Sequence, residues 1–165
     1  MYCVYLSGSY IHIGDCHHVV CSQKWTDMVF HPEVEQSSDL DGPPKLIGLH
    51  IVFPWSSKMM TTLAPSIFCD ATYNVTVYIY KVVVFTTLDG NNQHRPLMIS
   101  FISNCTTDQW CIMFNFFSRH VIRSHPVFYV ITSDQEEAIH SGLELSQLRT
   151  TSVHFICSLH QKWNV

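Results

Sequence analysis

The sequence predicts an α/β domain: a mixed five-stranded sheet with flanking helices. Three observations lead there. Residues 66 to 103 read as a meander of three β-rich runs separated by turn chemistry. Beyond it, helical and strand patterns alternate, giving the order β-β-β-α-β-α-β and then the start of another helix. Apolar residues make up 47% of the 165, enough for a sizeable core.

Residues 1 to 45 form a poorly defined N-terminal segment. They mix β-type residues with Gly8, Gly14, Gly42, Pro32, Pro43 and Pro44, and the stretch Gln36 to Pro44 is a polar, turn-rich linker. The domain proper then runs from 46 to 165. Leu46 to Pro54 is a short apolar run stopped by Pro54, and Ser56 to Leu63 reads as a short helix ended by Pro65. Residues 66 to 71 make the first strand. Val75, Val77, Ile79, Val82, Val83 and Val84 make the second, over 77 to 87. Asp89-Gly90-Asn91-Asn92 turns the chain into the third, Pro96 to Ser103.

Thr106 and Gln109 form a capping box at the start of a helix. Its Trp110, Met113, Phe114, Phe117 and Val121 fall on one face, the spacing of core packing. Arg119, His120 and Arg123 suit its last turns, and Pro126 stops it. Residues 127 to 132 are continuously apolar, as in a strand buried on both faces. A second helix runs from Asp134 to about Leu148, and Val153 to Cys157 is the fifth strand. The right-handed crossover rule lays the fourth strand beside the first.

Composition narrows the function. A net charge of −4 and a pI of about 6.2 provide no general basic field for nucleic acid. Charged residues are only 13%, low for a free-standing soluble protein, which suggests a covered surface or a missing piece. No run is long enough to span a membrane, no signal peptide is recognisable, and seven cysteines lack framework spacing. The expected setting is reducing and intracellular, with no membrane partner.

Two carboxylates stand out. Asp70 ends the apolar strand Ile67-Phe68-Cys69, and Asp134 stands just past Val127 to Thr132. A carboxylate at the end of a buried strand must be paired, hydrogen-bonded or metal-bound, or else become neutral. Taken singly, Asp70 is a turn former ahead of Tyr73, and Asp134 makes a capping box with Glu137. At neighbouring strand ends the two together suit Mg²⁺ or Mn²⁺, the setting for in-line phosphodiester displacement. Zinc is a second metal reading. Cys16, His17, His18 and Cys21 resemble half a knuckle, with Cys3, His12 and His31 as further ligands, and Cys157 with His160 is half a site elsewhere.

Ser66 to Asn164 resembles the transposase domain of Mutator-like elements (MULEs). The resemblance lies in apolar-Cys69-Asp70-Ala71-Thr72-Tyr73, in Asp89-Gly90 and Pro96-Leu97, and in the helix with Phe114, Phe116 and Phe117. It continues through Ile131-Thr132-Ser133-Asp134 and Cys157-x2-His160 with Asn164. It implies a ribonuclease H-like fold and metal-dependent DNA strand cleavage and transfer by two Asp and a Glu, the DDE set. By that resemblance Asp70 is the first catalytic and metal-binding acid, Asp134 the second, and Cys157 and His160 the family signature. Mg²⁺ or Mn²⁺ as cofactor, transposon-end DNA as partner, a nuclear location and a homo-oligomeric assembly are further implications. The family's Glu lies well beyond its Cys-x2-His, and here five residues follow His160. The expectation is therefore a C-terminally truncated domain, inactive in this form, with its third acid missing. The alternatives are a domesticated transposase relic serving as a DNA-associated regulatory or protein-interaction module, and a zinc-stabilised structural protein.

Overall fold

The computed structural model describes residues 2–7, 10–15, 28–35, 45–62, 66–72, 80–123 and 128–157. Among these, β1 (Tyr2–Ser7) and β2 (Tyr10–Asp15) pair antiparallel as a separate two-stranded sheet. The main sheet takes β3 (Val29–Glu35), β4 (Lys45–Val52), β5 (Ser66–Thr72), β6 (Lys81–Leu88), β7 (His94–Ile102), β8 (Tyr129–Ser133) and β9 (Ser152–Ile156). Between them lie α1 (Ser56–Thr62), α2 (Thr107–Phe117) and α3 (Glu137–Leu145).

The strand order is β3-β4-β7-β6-β5-β8-β9. β8 runs parallel to β5 on one side and to β9 on the other, and the remaining pairs are antiparallel. The α/β class and the placement of β8 beside β5 follow the expectation from the sequence. The strand count does not: the sheet has seven strands, not five. β4 is the short apolar run before Pro54, whose length and composition left it without an assignment. β3 extends the sheet into the segment 1 to 45. Its Pro32 is tolerated because β3 is the edge strand, where a missing N–H breaks no inner ladder.

The meander turns where the sequence indicates. Asp89 Oδ1 accepts the N–H groups of Asn91 (2.8 Å) and Gln93 (3.0 Å), and Asp89 Oδ2 accepts Arg95 Nε at 2.8 Å. Asn92 takes the positive φ, 60°, that the turn requires. The N-cap of α2 is Thr106, whose hydroxyl accepts Gln109 N–H at 3.4 Å. The far end of α2 differs from a plain helix stop. Ser118–Ile122 continue as a π-helical turn, and Arg123, at φ 55°, closes it by donating its N–H to Ser118 O at 2.8 Å. Arg119 and His120 therefore belong to the π turn rather than to the last α-helical turn.

The helices and one face of the sheet share the core. Trp110, Met113, Phe114, Phe117 and Val121 are all fully buried, as their spacing predicts. Phe85 of β6 stacks on Phe117 (centroids 4.9 Å apart) and meets Phe114 edge-on at 5.8 Å. Ile67, Cys69 and Ala71 of β5 and Tyr129 and Ile131 of β8 face the same core. On the other face, Val130 and Thr132 are only partly covered and Phe155 is 55% exposed. The continuous apolar run of β8 is thus buried chiefly on its helix side.

α3 packs on α2 through Gly142. A Cβ at that position would collide with the Cβ of Trp110 and approach the Cys111 nitrogen and the Thr107 oxygen to 3.0 Å each. Ala inside a helix is normally favoured over Gly by about 1 kcal/mol. Here the obstacles are backbone and a buried tryptophan, so overpacking, worth about 1–3 kcal/mol, wins. Gly142→Ala is expected to lower unfolding free energy by about 1–2 kcal/mol in urea titrations; an unchanged or raised midpoint would show that the helices separate freely.

Candidate functional site

The register of β5 against β8 places the two aspartates. The paired residues are Ser66 with Val130, Ile67 with Ile131, and Phe68 with Thr132. Asp70 is two residues beyond Phe68, and Asp134 is two beyond Thr132. In parallel strands about 4.8 Å apart these are equivalent positions at neighbouring strand ends. Side chains alternate between faces, so the buried Cys69 and Ala71 turn to the helices while Asp70 turns to the open face.

Exposure changes the reading of Asp70. It does not bear the cost of a buried charge, because it is exposed and Asp134 is only half-buried. The group that does respond to burial is Cys69. Its thiol is pushed well above the ordinary range, first by burial and then by the charges of Asp134 and Asp70. Both carboxylates lie close enough to one buried thiol to act on it. Cys69 is held as a neutral thiol and is a poor nucleophile.

Asp134 is not the cap of α3. That helix starts at Glu137, with Glu136 as its N-cap residue and no side-chain cap bond. Asp134 Oδ1 instead accepts the N–H of Glu136 at 3.3 Å, an Asx-type turn leading into the helix. α3 ends at Leu145, short of Leu148, and a 3₁₀ segment, Gln147–Thr151, follows.

Ser133, next to Asp134, is 2% exposed. Its hydroxyl reaches the Asp134 carbonyl at 2.8 Å and His154 Nε2 at 2.7 Å. His154 in turn stacks on His140. Cys157 follows β9, and its N–H donates to Ser133 O at 2.6 Å, which sets it beside Asp134. His160, the other half of the Cys-x2-His pair, lies outside the described residues. Sequence reasoning missed Ser133, His140 and His154, since their hydrogen bonds span sequence distances that no local pattern marks.

Carboxylates are in general ligands of oxygen-seeking cations such as Mg²⁺ or Mn²⁺. Among the described residues no group of three His, Cys, Asp or Glu side chains is arranged to hold a metal. Of the zinc ligands read from sequence, Cys16, His17, His18 and Cys21 lie outside the described residues, and Cys3 and His12 are placed only by the backbone of β1 and β2.

His31 has a different setting. It pairs with His50 across β3 and β4 and stacks on Phe116 at 4.9 Å. His120 also packs on Phe116, with ring centroids 4.3 Å apart. The fully buried His50 is hydrogen-bonded through Nδ1 to Ser100 Oγ at 2.9 Å and faces Glu33 at 3.6 Å.

Burial is the first cause lowering the pKa of His31, His120 and His154. Neighbouring basic side chains add to it: His50 and Arg119 at His31; Arg119, His31 and Arg123 at His120; His140 at His154. Asp134 and, at His31, Glu33 oppose the shift. A lowered folded-state pKa means that the unfolded chain binds more protons just below its own value of 6.5. The stability due to these histidines is complete above pH 6.5 and falls as pH drops from there through the folded-state values. Melting temperature should decline between pH 6.5 and 5, and less steeply in His154→Gln. A flat profile in that window would contradict the partial burial of His120 and His154.

The family model of the MULE transposase domain matches residues 66–164. No curated relative matches the chain. The matched span covers well over half the sequence and takes in β5 to β9, α2, α3, both aspartates and Cys157. The strand order β7-β6-β5-β8-β9 with α2 and α3 as crossovers is the ribonuclease H-like arrangement, and the chain belongs to the MULE transposase domain family.

Proposed function

We propose that Asp70 and Asp134 form the two-aspartate part of a DDE-type metal site acting on DNA. The carrying observation is their equivalent position at the ends of parallel neighbours β5 and β8. The two carboxylates bind and orient oxygen-seeking cations. Bound there, Mg²⁺ or Mn²⁺ supplies phosphate charge neutralisation and activation of a water or 3′-hydroxyl.

The rest of the chain supports that role by position. Asp70 is exposed on the open sheet face, where a DNA backbone has access, and the Asx turn at Glu136 holds Asp134. No third acid joins the pair among the described residues. A DNA partner supports the nuclear location that the family resemblance implies.

Asp134→Asn keeps the turn, because an Asn oxygen still accepts from Glu136, but removes the charge. Asp70→Asn does the same at the exposed position. Each is expected to weaken Mn²⁺ binding by at least about tenfold, roughly 1.4 kcal/mol, in calorimetric titration, with thermal stability nearly unchanged. Equal Mn²⁺ affinity in the wild type and both variants would remove the two residues from any metal site.

A further inference from the structure

The protons around Ser133 can be assigned by elimination. A carbonyl oxygen only accepts, so the single hydroxyl proton of Ser133 goes to Asp134 O at 2.8 Å. The hydroxyl oxygen then accepts, on one lone pair from Nε2 of His154 at 2.7 Å, with the Cys69 thiol in hydrogen-bond reach of the other. In neutral His154 this leaves a lone pair on Nδ1. That atom faces Nδ1 of His140 at 3.5 Å across stacked rings, so His140 is the donor of the outer, weaker link. The chain runs from His140 through His154 and Ser133 to the peptide carbonyl of Asp134.

The same residue is held a second time, since its Oδ1 accepts the Glu136 N–H at 3.3 Å. With the carbonyl fixed on the helix side and the carboxylate tied to the turn, Asp134 has little freedom to swing. Ser133 and His154 lie on the helix side of the sheet and the open face lies opposite, so the imidazole does not face that side; its hydrogen-bonded link to Asp134 is Ser133, while the Asp134 charge also acts on it through space.

We propose that His154 is a positioning residue for Asp134: its hydrogen bond to Ser133 fixes the Asp134 peptide and thereby orients the carboxylate for a divalent cation. This rests on the reading of Asp70 and Asp134 as metal ligands. The probe is Mn²⁺ alone, titrated into the full chain. His154→Ala removes the donor and should weaken Mn²⁺ binding about tenfold, the usual scale for an outer-shell partner. His154→Gln, whose amide N–H reaches similarly far, should stay within about twofold of wild type. Ser133→Ala cuts the chain one atom nearer and should reproduce the loss. The double variant should be no worse than either single one, because all act through one link.

A residue needed only for packing would lower the melting temperature without separating Ala from Gln in Mn²⁺ affinity. Nitrogen-15 shifts of the imidazoles give a second readout, which needs no metal and no variant to fold: the Nε2–H tautomer of His154 is expected. An Nδ1–H tautomer, or wild-type Mn²⁺ affinity in Ser133→Ala or His154→Ala, overturns the proposal alone if Asp134→Asn still loses binding. A wild-type chain that fails to bind Mn²⁺ overturns the metal reading and this proposal together.

Discussion

The packing of α2 on the middle of the sheet is the contact on which the rest of the structure depends. Phe114 and Phe117 close around Phe85, and Trp110 tilts against Phe114 with centroids 5.8 Å apart. All four are fully buried. Burying an aromatic side chain of this kind contributes about 1.5–3 kcal/mol each. α2 is also the connection from β7 to β8. Once its aromatic face is seated over β6, the chain must emerge beyond β6 and β5, and β8 adds at the free side of β5. The site geometry follows from that placement, since Asp134 can reach the level of Asp70 only if β8 pairs with β5.

α3 repeats the step from β8 to β9 and needs a closer approach, because it packs against α2 as well as the sheet. Gly142 permits it by leaving room for Trp110 and the α2 backbone. Behind α3 the 3₁₀ segment is tied down: Ser146 Oγ accepts Leu148 N–H at 3.2 Å, and Asn115 Oδ1 on α2 accepts Gln147 N–H at 2.8 Å. These bonds fix where β9 begins, and therefore where His154 stands relative to Ser133. The hydrogen-bond chain behind Asp134 is thus a consequence of helix packing as much as of the strand ladder.

The far edge of the sheet is held by polar contacts instead of an aromatic layer. Glu33 of β3 accepts Gln109 Nε2 through both oxygens at 3.4 Å, lies over Gly48 and faces the buried His50. Long contacts of this kind carry less than a well-formed charge-assisted hydrogen bond. The imidazoles of His31 and His120 each pack on Phe116 and add to this edge. β3 and β4 therefore belong to the sheet on different physical terms from the five strands of the transposase-like core.

Local chemistry in the sequence determined the central elements. The 3.6-residue spacing from Trp110 to Val121 and the Thr106 cap locate α2, and Asp89 and its neighbours locate the turn between β6 and β7. The apolar runs ending near Asp70 and Asp134 locate β5 and β8. With a handedness rule those elements put the two aspartates at adjacent strand ends. Tertiary structure decided the rest. A short apolar run before Pro54 has no period that separates strand from helix, and only the open edge of β7 makes it β4. The Asp134-x-x-Glu137 pattern reads as a cap, yet the chain leaves β8 through an Asx turn and the helix starts later. Asp70 looks costly beside buried neighbours, but the alternation of the pleat turns it outward and leaves Cys69 to feel the charge. Ser133, His140 and His154 meet only after both crossovers are made, because hydrogen bonds between residues 14 and 21 positions apart are set by packing and not by neighbours in the chain.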